Sequence, residues 1–312
     1  MFHRKILQPT FLMAVVTCFF TATVAAQIED GVSTAPPGKV PADVILVKGA
    51  EPAASDHSTP LPQDGRVSHN IYRSSYLGLT YPLPDGWAES YQGPPPSDTG
   101  EYVLAQLVPG PAFKGSKGTV LVTAQDLFFS RARVADASEM VRYSRSHLPS
   151  YYESEREPAE VQIAGRAFVR YDYRSPVAGI HWYVLTTEVR CHALQFVFMG
   201  QDAKMLDSLV ADMSRIELPP APAPVCVANY VKNAEVKVDP VFATHNYNAI
   251  PVRVVIDKKG NVRHVHVISA FPDQAAKIIE AVMQWKFKPA STEIETGIVF
   301  GGRTAEGNAN VD

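Results

Sequence analysis

Two histidines, His264 and His266, stand two positions apart in Arg263-His-Val-His-Val267. Alternation along a strand would put both imidazoles on one face, where a third nitrogen ligand such as His245 could complete a cation site. Neither a CxxC pair nor a carboxylate cluster accompanies them, and alternating polar residues on the wet face of a sheet account for them equally, so no metal site is assigned. The cysteines are Cys18, Cys191 and Cys226. The first falls in an apolar amino-terminal run. The other two are either free thiols or, in an oxidising compartment, one bridge joining the two sides of a proline-rich spacer. The signatures H-E-x-x-H, G-x-S-x-G and S-x-x-K, the phosphate-binding loop and the dinucleotide glycine fingerprint are all absent from the sequence. The expectation is a non-enzymatic protein with no cofactor.

A formal charge of −3 over 312 residues offers no basic field for phosphate backbones, so nucleic acid is not expected as a partner. Hydrophobic residues make up 46% of the chain, enough to bury a core in each of two modest domains. Residues 1–26 place His3, Arg4 and Lys5 before an uncharged apolar stretch that ends in small residues, the pattern of a secretory signal peptide. Cleavage after Ala26 would leave a periplasmic or secreted protein. Membrane contact is expected only if that segment stays uncleaved as an anchor.

Composition then divides the chain. Residues 27–70 hold Pro36, Pro37, Pro41, Pro52, Pro60 and Pro62 and no aromatic residue, which predicts a flexible tether, with Val44-Ile-Leu-Val47 as a short strand that could dock. Residues 219–224, PPAPAP, form a second spacer, and residues 303–312 a flexible tail. Between them lie a unit at 71–218 and a smaller one at 225–302.

In the first unit, strands are expected at Tyr76–Trp87, Tyr102–Val108, Gly118–Phe129, Ala159–Tyr173, His181–Val189 and Ala193–Met199. Helical spacing marks Ala137–His147 and Asp202–Ile216. The predicted class is α+β, an antiparallel sheet with two helices. The turn Leu83-Pro-Asp-Gly-Trp87, taken with this element order, resembles the PsbP-like group of small secreted or lumenal domains. A small-ligand carrier lined by Trp87, Tyr171, Tyr173 and Trp182 is one functional alternative.

The second unit has a hairpin, Pro251–Asp257 and Val262–Ser269, turned at Lys258-Lys-Gly-Asn261. A helix begins at Pro272 and brings Ala275, Ile278, Ile279, Val282 and Trp285 onto one face. At Trp285-Lys-Phe-Lys288 the period changes from helix to strand, so that Trp285 and Phe287 point inward and Lys286 and Lys288 outward. Glu293–Phe300 closes a β-β-α-β unit.

The runs VRVVIDKKGNVRHVHVISA, QAAKIIEAVMQWKFKPA and EIETGIVFG resemble the TonB C-terminal domain family of energy transducers. Two departures are Ile250, where a glycine often precedes the first strand, and the short Ala-Ser-Thr link between Pro289 and Glu293. The resemblance implies binding of a protein partner, an outer-membrane receptor or another envelope protein, whose extended segment adds a strand to the sheet. The partner-binding edge is then Glu293, Ile294, Glu295, Thr296, Gly297, Ile298, Val299 and Phe300, with outward amides sought at Glu295, Thr296 and Ile298. A membrane-anchored transducer is the further alternative.

Overall fold

The structure is a computed structural model, and it describes residues 54–55, 61–91, 99–110, 117–220, 225–228, 230, 234–235 and 249–300. The expected signal peptide, the Val44–Val47 strand, His245 and the carboxy-terminal tail lie outside the described residues. In chain order the first strands are β1 (Ala54–Ser55), β2 (Arg66–Ser68), β3 (Ile71–Ser74), β4 (Leu79–Pro82), β5 (Trp87–Tyr91), β6 (Glu101–Pro109) and β7 (Gly118–Asp126). Helix α1 (Ala137–Ser146) precedes β8 (Glu153–Ile163), β9 (Arg166–Ser175), β10 (Ile180–Val189) and β11 (His192–Gly200), and α2 (Ala203–Asp212) follows. Next come β12 (Val225–Cys226), β13 (Ala234–Glu235), β14 (Ile250–Ile256), β15 (Val262–Val267), α3 (Pro272–Val282), β16 (Lys286–Phe287) and β17 (Ile294–Phe300). The class is mixed α+β, mostly antiparallel sheet with few helices.

Seven strands form one antiparallel sheet in the order β5-β6-β7-β11-β10-β9-β8. The stretch expected as one strand, Ala159–Tyr173, is two: it spans the end of β8, the turn at Ala164 and Gly165, both at positive φ (51° and 76°), and most of β9 in a hairpin that starts at Glu153. Arg190 and Cys191, at φ 48° and 60°, make the equivalent turn between β10 and β11. Alternation gives each strand two faces. Phe168, Leu185, Phe196 and Phe198 point to the side covered by α2 and by the small β2-β3-β4 sheet, where they meet Leu206, Leu209, Leu79 and Tyr81 in the main core. On the opposite face α1 seats Ala137 and Met140 on Ala193. Both helices start on an aspartate cap: Asp136 accepts from the Glu139 amide, and Asp202 from those of Lys204 and Met205.

The second sheet runs β1-β15-β14-β17-β12. Val252, Val254, Ile298 and Phe300 face α3, whose Ile278 and Val282 close a second core with Trp285 and Phe287. Trp285 is 2% exposed, and Lys288 is exposed, as the change of period requires. Gly260 turns the β14–β15 hairpin at φ +79°, and its carbonyl accepts the Phe287 amide at 2.8 Å. A Cβ there would meet the Phe287 carbonyl oxygen, so the closeness of this contact and the left-handed backbone both select glycine.

Two stretches expected in the tether are built into these sheets. Ala54–Ser55 pairs with Val267 and His266 of β15, and Pro62–Ser68 supplies a 3₁₀ turn and β2. Proline content marks these segments as extended, and an extended segment can complete the edge of an existing sheet. The described residues fall within one compact unit, in which Ile268, just beyond β15, is buried in the main core of the seven-stranded sheet. No helix among the described residues is long and apolar enough to cross a membrane.

Candidate functional site: the closing strand and its buried ion network

β17 pairs with β14 along its whole length, from Ile250 opposite Phe300 to Ile256 opposite Ile294. Its other side carries only β12 among the described residues, parallel to it at Ile294 and Glu295. Residues that point their amide and carbonyl at β14 alternate with residues that point them away. Pro251 has no amide, and its carbonyl accepts the Ile268 amide on the β15 side, so its opposite residue Val299 points away from β14. By the same alternation Gly297 and Glu295 also point away, and the Val227 amide donates to the Glu295 carbonyl at 3.0 Å. Thr296 and Ile298 turn their amides inward to β14. The outward amides therefore belong to Glu295, Gly297 and Val299, which corrects the expectation at Thr296 and Ile298.

The side chains of this strand are not a solvent-facing rim. Glu293, just before the strand, is exposed, whereas Ile294, Glu295, Thr296, Gly297, Ile298 and Phe300 are buried and Val299 is half-buried. Gly297 lies so close to Phe128 and Phe129 that a Cβ would come within 2.5 Å of the Phe128 Cβ. Glu295 is 0% exposed and accepts from Arg190 at 2.8 Å and from Arg253. The seven-stranded sheet covers this face, so Glu295 does not meet solvent.

Arg253 is the centre of that contact. It is 2% exposed and lies on β14 between two apolar neighbours, on the face turned away from α3. Its guanidinium meets Asp126 at the end of β7 at 2.8 Å, and it donates to the carbonyls of Arg190 and Cys191 at 3.1 and 3.3 Å. The Phe128 ring lies 4.9 Å from its guanidinium carbon. Arg190 completes the set by donating to the Tyr76 carbonyl at 3.1 Å and lying 4.5 Å from the Tyr76 ring. Two guanidinium groups thus balance two carboxylates.

Burial pushes the Asp126 carboxyl above its usual range, opposed by Arg253 and by the Phe128 amide that donates to it at 2.9 Å. Burial alone would lower Arg253, but Asp126, the Tyr76 phenol and Glu295 more than reverse this, and its pKa is raised. His192 is fully buried beside this group, and burial followed by the Arg253 charge holds its pKa well below the ordinary histidine value. The neutral ring donates Nδ1–H to the Arg190 carbonyl at 2.8 Å, since a carbonyl can only accept. This leaves Nε2 unprotonated, 3.6 Å from Asp126. The arrangement is a closed electrostatic joint that fixes how one sheet meets the other.

A covalent bond lies next to it. Cys191 and Cys226 form a disulfide with Cα atoms 5.7 Å apart, joining the β10–β11 turn to β12 across 35 positions. Cys191 is buried and Cys226 is exposed.

The remaining candidates are spread over the molecule. Tyr173 and Trp182 stack on one sheet face at 5.2 Å, with Tyr171 5.3 Å from Tyr173 and Tyr152 5.4 Å from Trp182. Trp87 does not join them, because it sits on β5 at the far edge of that sheet. A cavity of about 360 Å³ lies elsewhere, lined by Ile163, Arg166, Ala167, Ile216, Leu218 and Pro219. His266 is buried with its ring 6.4 Å from that of Tyr102, and His264 is half-buried.

Sequence reasoning missed the Asp126–Arg253–Glu295–Arg190 group. The signal was an arginine in the middle of Val252-Arg-Val-Val-Ile256, a strand otherwise suited to complete burial.

No family model matches this chain, and no curated protein matches it. Among solved structures it is similar to the solution structure of cyanobacterial PsbP (CyanoP) from Synechocystis sp. PCC 6803. The identity is 13%, the match covers 48% of this chain and 91% of that one, and the TM-score is 0.33.

Proposed function

We propose that this chain is an exported, non-enzymatic interaction module whose TonB-like carboxy-terminal part takes an extended segment of an envelope protein by strand addition at β17. The observation that carries the reading is the unequal pairing of that strand. β14 covers seven positions on one side, whereas on the other β12 covers two among the described residues. The outward amides and carbonyls of Gly297 and Val299 offer a partner backbone the groups that a further strand needs. The order β14, β15, α3, β17 supports the resemblance to energy-transducer domains. The buried ion joint supports a rigid platform, since an edge held by a fixed sheet loses less freedom on binding.

Photo-crosslinking in the native envelope tests this reading. A photoreactive side chain at Val299 should give one dominant protein adduct that is absent from an exposed control at Asp273 on α3. Identical adduct patterns at both positions would overturn it.

A further inference from the structure

We infer that β12 is a strap held on the β17 edge by the Cys191–Cys226 disulfide, and that reduction of this bond lengthens the edge open to an extended partner. The inference rests on the strand-addition reading above and adds a control to the same site.

β12 covers the first part of the edge that the partner would use. Its two residues lie parallel to Ile294 and Glu295, the Val227 amide donates to the Glu295 carbonyl at 3.0 Å, and the Tyr230 amide donates to the Thr296 hydroxyl at 3.2 Å. Such a short pairing is a weak tether by itself, because ordering each residue costs about as much as each net hydrogen bond returns. The disulfide removes most of that cost by fixing Cys226 to the β10–β11 turn. That turn is in turn anchored, because Arg253 binds the carbonyls of Arg190 and Cys191 and Arg190 binds Glu295. The disulfide is thus the covalent fastening of the strap to the rigid joint, beside the packing of Val227 and Tyr230 on the second core, where Tyr230 stacks on Phe287 at 5.8 Å. Of the two cysteines, Cys226 is exposed and Cys191 buried.

The chemistry is thiol–disulfide exchange with a dithiol as reductant. One thiolate attacks the sulfur of Cys226, the exposed cysteine of the pair, forms a mixed disulfide and expels Cys191 as a thiolate, which takes up a proton. The second thiolate of the dithiol then displaces Cys226. The dithiol leaves as a disulfide, and the protein gains two electrons and two protons as two thiols. With the strap gone, the outward groups of Glu295 join those of Gly297 and Val299. The ion joint is made of noncovalent bonds between β7, the β10–β11 turn, β14 and β17, so it does not depend on the disulfide.

Dithiothreitol and hydrogen exchange on the full chain test the inference, with alkylation and mass measurement reporting the redox state. On reduction the Val227 amide should exchange at least about tenfold faster, while the Met283 amide, which donates to the Ile279 carbonyl at the end of α3, keeps its rate. A labelled peptide copying residues 223–230, with Cys226→Ser, serves as the strand probe. It should bind the reduced chain at least about tenfold more tightly than the oxidised chain, and Cys226→Ser in the protein should bind it without reductant. An unchanged Val227 rate after complete reduction overturns the inference. So does loss of protection at Met283 together with Val227, because the bond would then hold the whole fold. Faster exchange at Val227 without peptide binding in either state upholds the strap and overturns the strand-addition reading.

Discussion

Replacing Arg253 by methionine keeps an unbranched apolar stem, about two bonds shorter, and removes the charge. In the intact protein Arg190 and Arg253 balance Asp126 and Glu295, all four brought together where the two sheets meet. Arg253→Met leaves two buried carboxylates facing one guanidinium. Removing one partner of a buried ion pair costs about 3 to 5 kcal/mol, because the group left behind has neither water nor a counter-charge. For a unit of this size, with about 2 to 4 °C per kcal/mol, the thermal midpoint should fall by about 6 to 20 °C. Denaturant titration followed by tryptophan emission measures the loss. The decisive comparison is Asp126→Asn/Arg253→Met, which restores charge balance and keeps an acceptor for the Phe128 amide. It should recover at least about 1 kcal/mol of the single variant's deficit, a coupling that additive effects would not give. A single variant within about 1 kcal/mol of wild type, or a double variant that sums the two single losses, would refute the claim that this network fixes the joint.

Two further outcomes follow from buried side chains. The folded-state pKa of His192 lies below its unfolded value, so its contribution to stability is complete above about pH 6.5 and is lost as pH falls toward the folded value. Denaturant midpoints between pH 7 and pH 5 should show a loss of up to about 1.4 kcal/mol per pH unit from this group, and His192→Gln should flatten that part of the profile. Trp285→Ala empties a site between Phe287 and Phe300 and should cost about 3 to 5 kcal/mol by the same titration.

Much of the smaller sheet was legible because its signals are local. The Lys258–Asn261 turn, the proline at the start of α3 and the shift of period at Trp285-Lys-Phe-Lys288 each act over a few residues. Harder to read was the β8–β9 hairpin, where Ala164 takes a left-handed conformation that alanine does not announce as Asn-Gly would. The ion joint was hidden for a different reason. Alternation along β14 turns Arg253 away from α3, but nothing near it in the sequence shows that another sheet covers that face. Its partners Asp126 and Glu295 lie 127 and 42 positions away, and Arg190 lies 105 positions from Glu295. The orientation of the edge amides, by contrast, was encoded nearby: Pro251 lacks the amide that would pair with Val299, which fixes the phase of the whole strand.

The central claim, backbone pairing at the open side of β17, is tested most directly at Val299. Proline there removes an outward amide while the inward ladder to β14 stays intact, and isoleucine changes the side chain while keeping the amide. Calorimetric titration of the partner identified by crosslinking at Val299 should give a Kd about tenfold or more weaker for Val299→Pro, the cost of about 1.4 kcal/mol expected when a backbone donor is lost. Val299→Ile should stay within about twofold of wild type by the same reasoning. Equal affinity for wild type and a folded Val299→Pro would contradict strand addition at this edge.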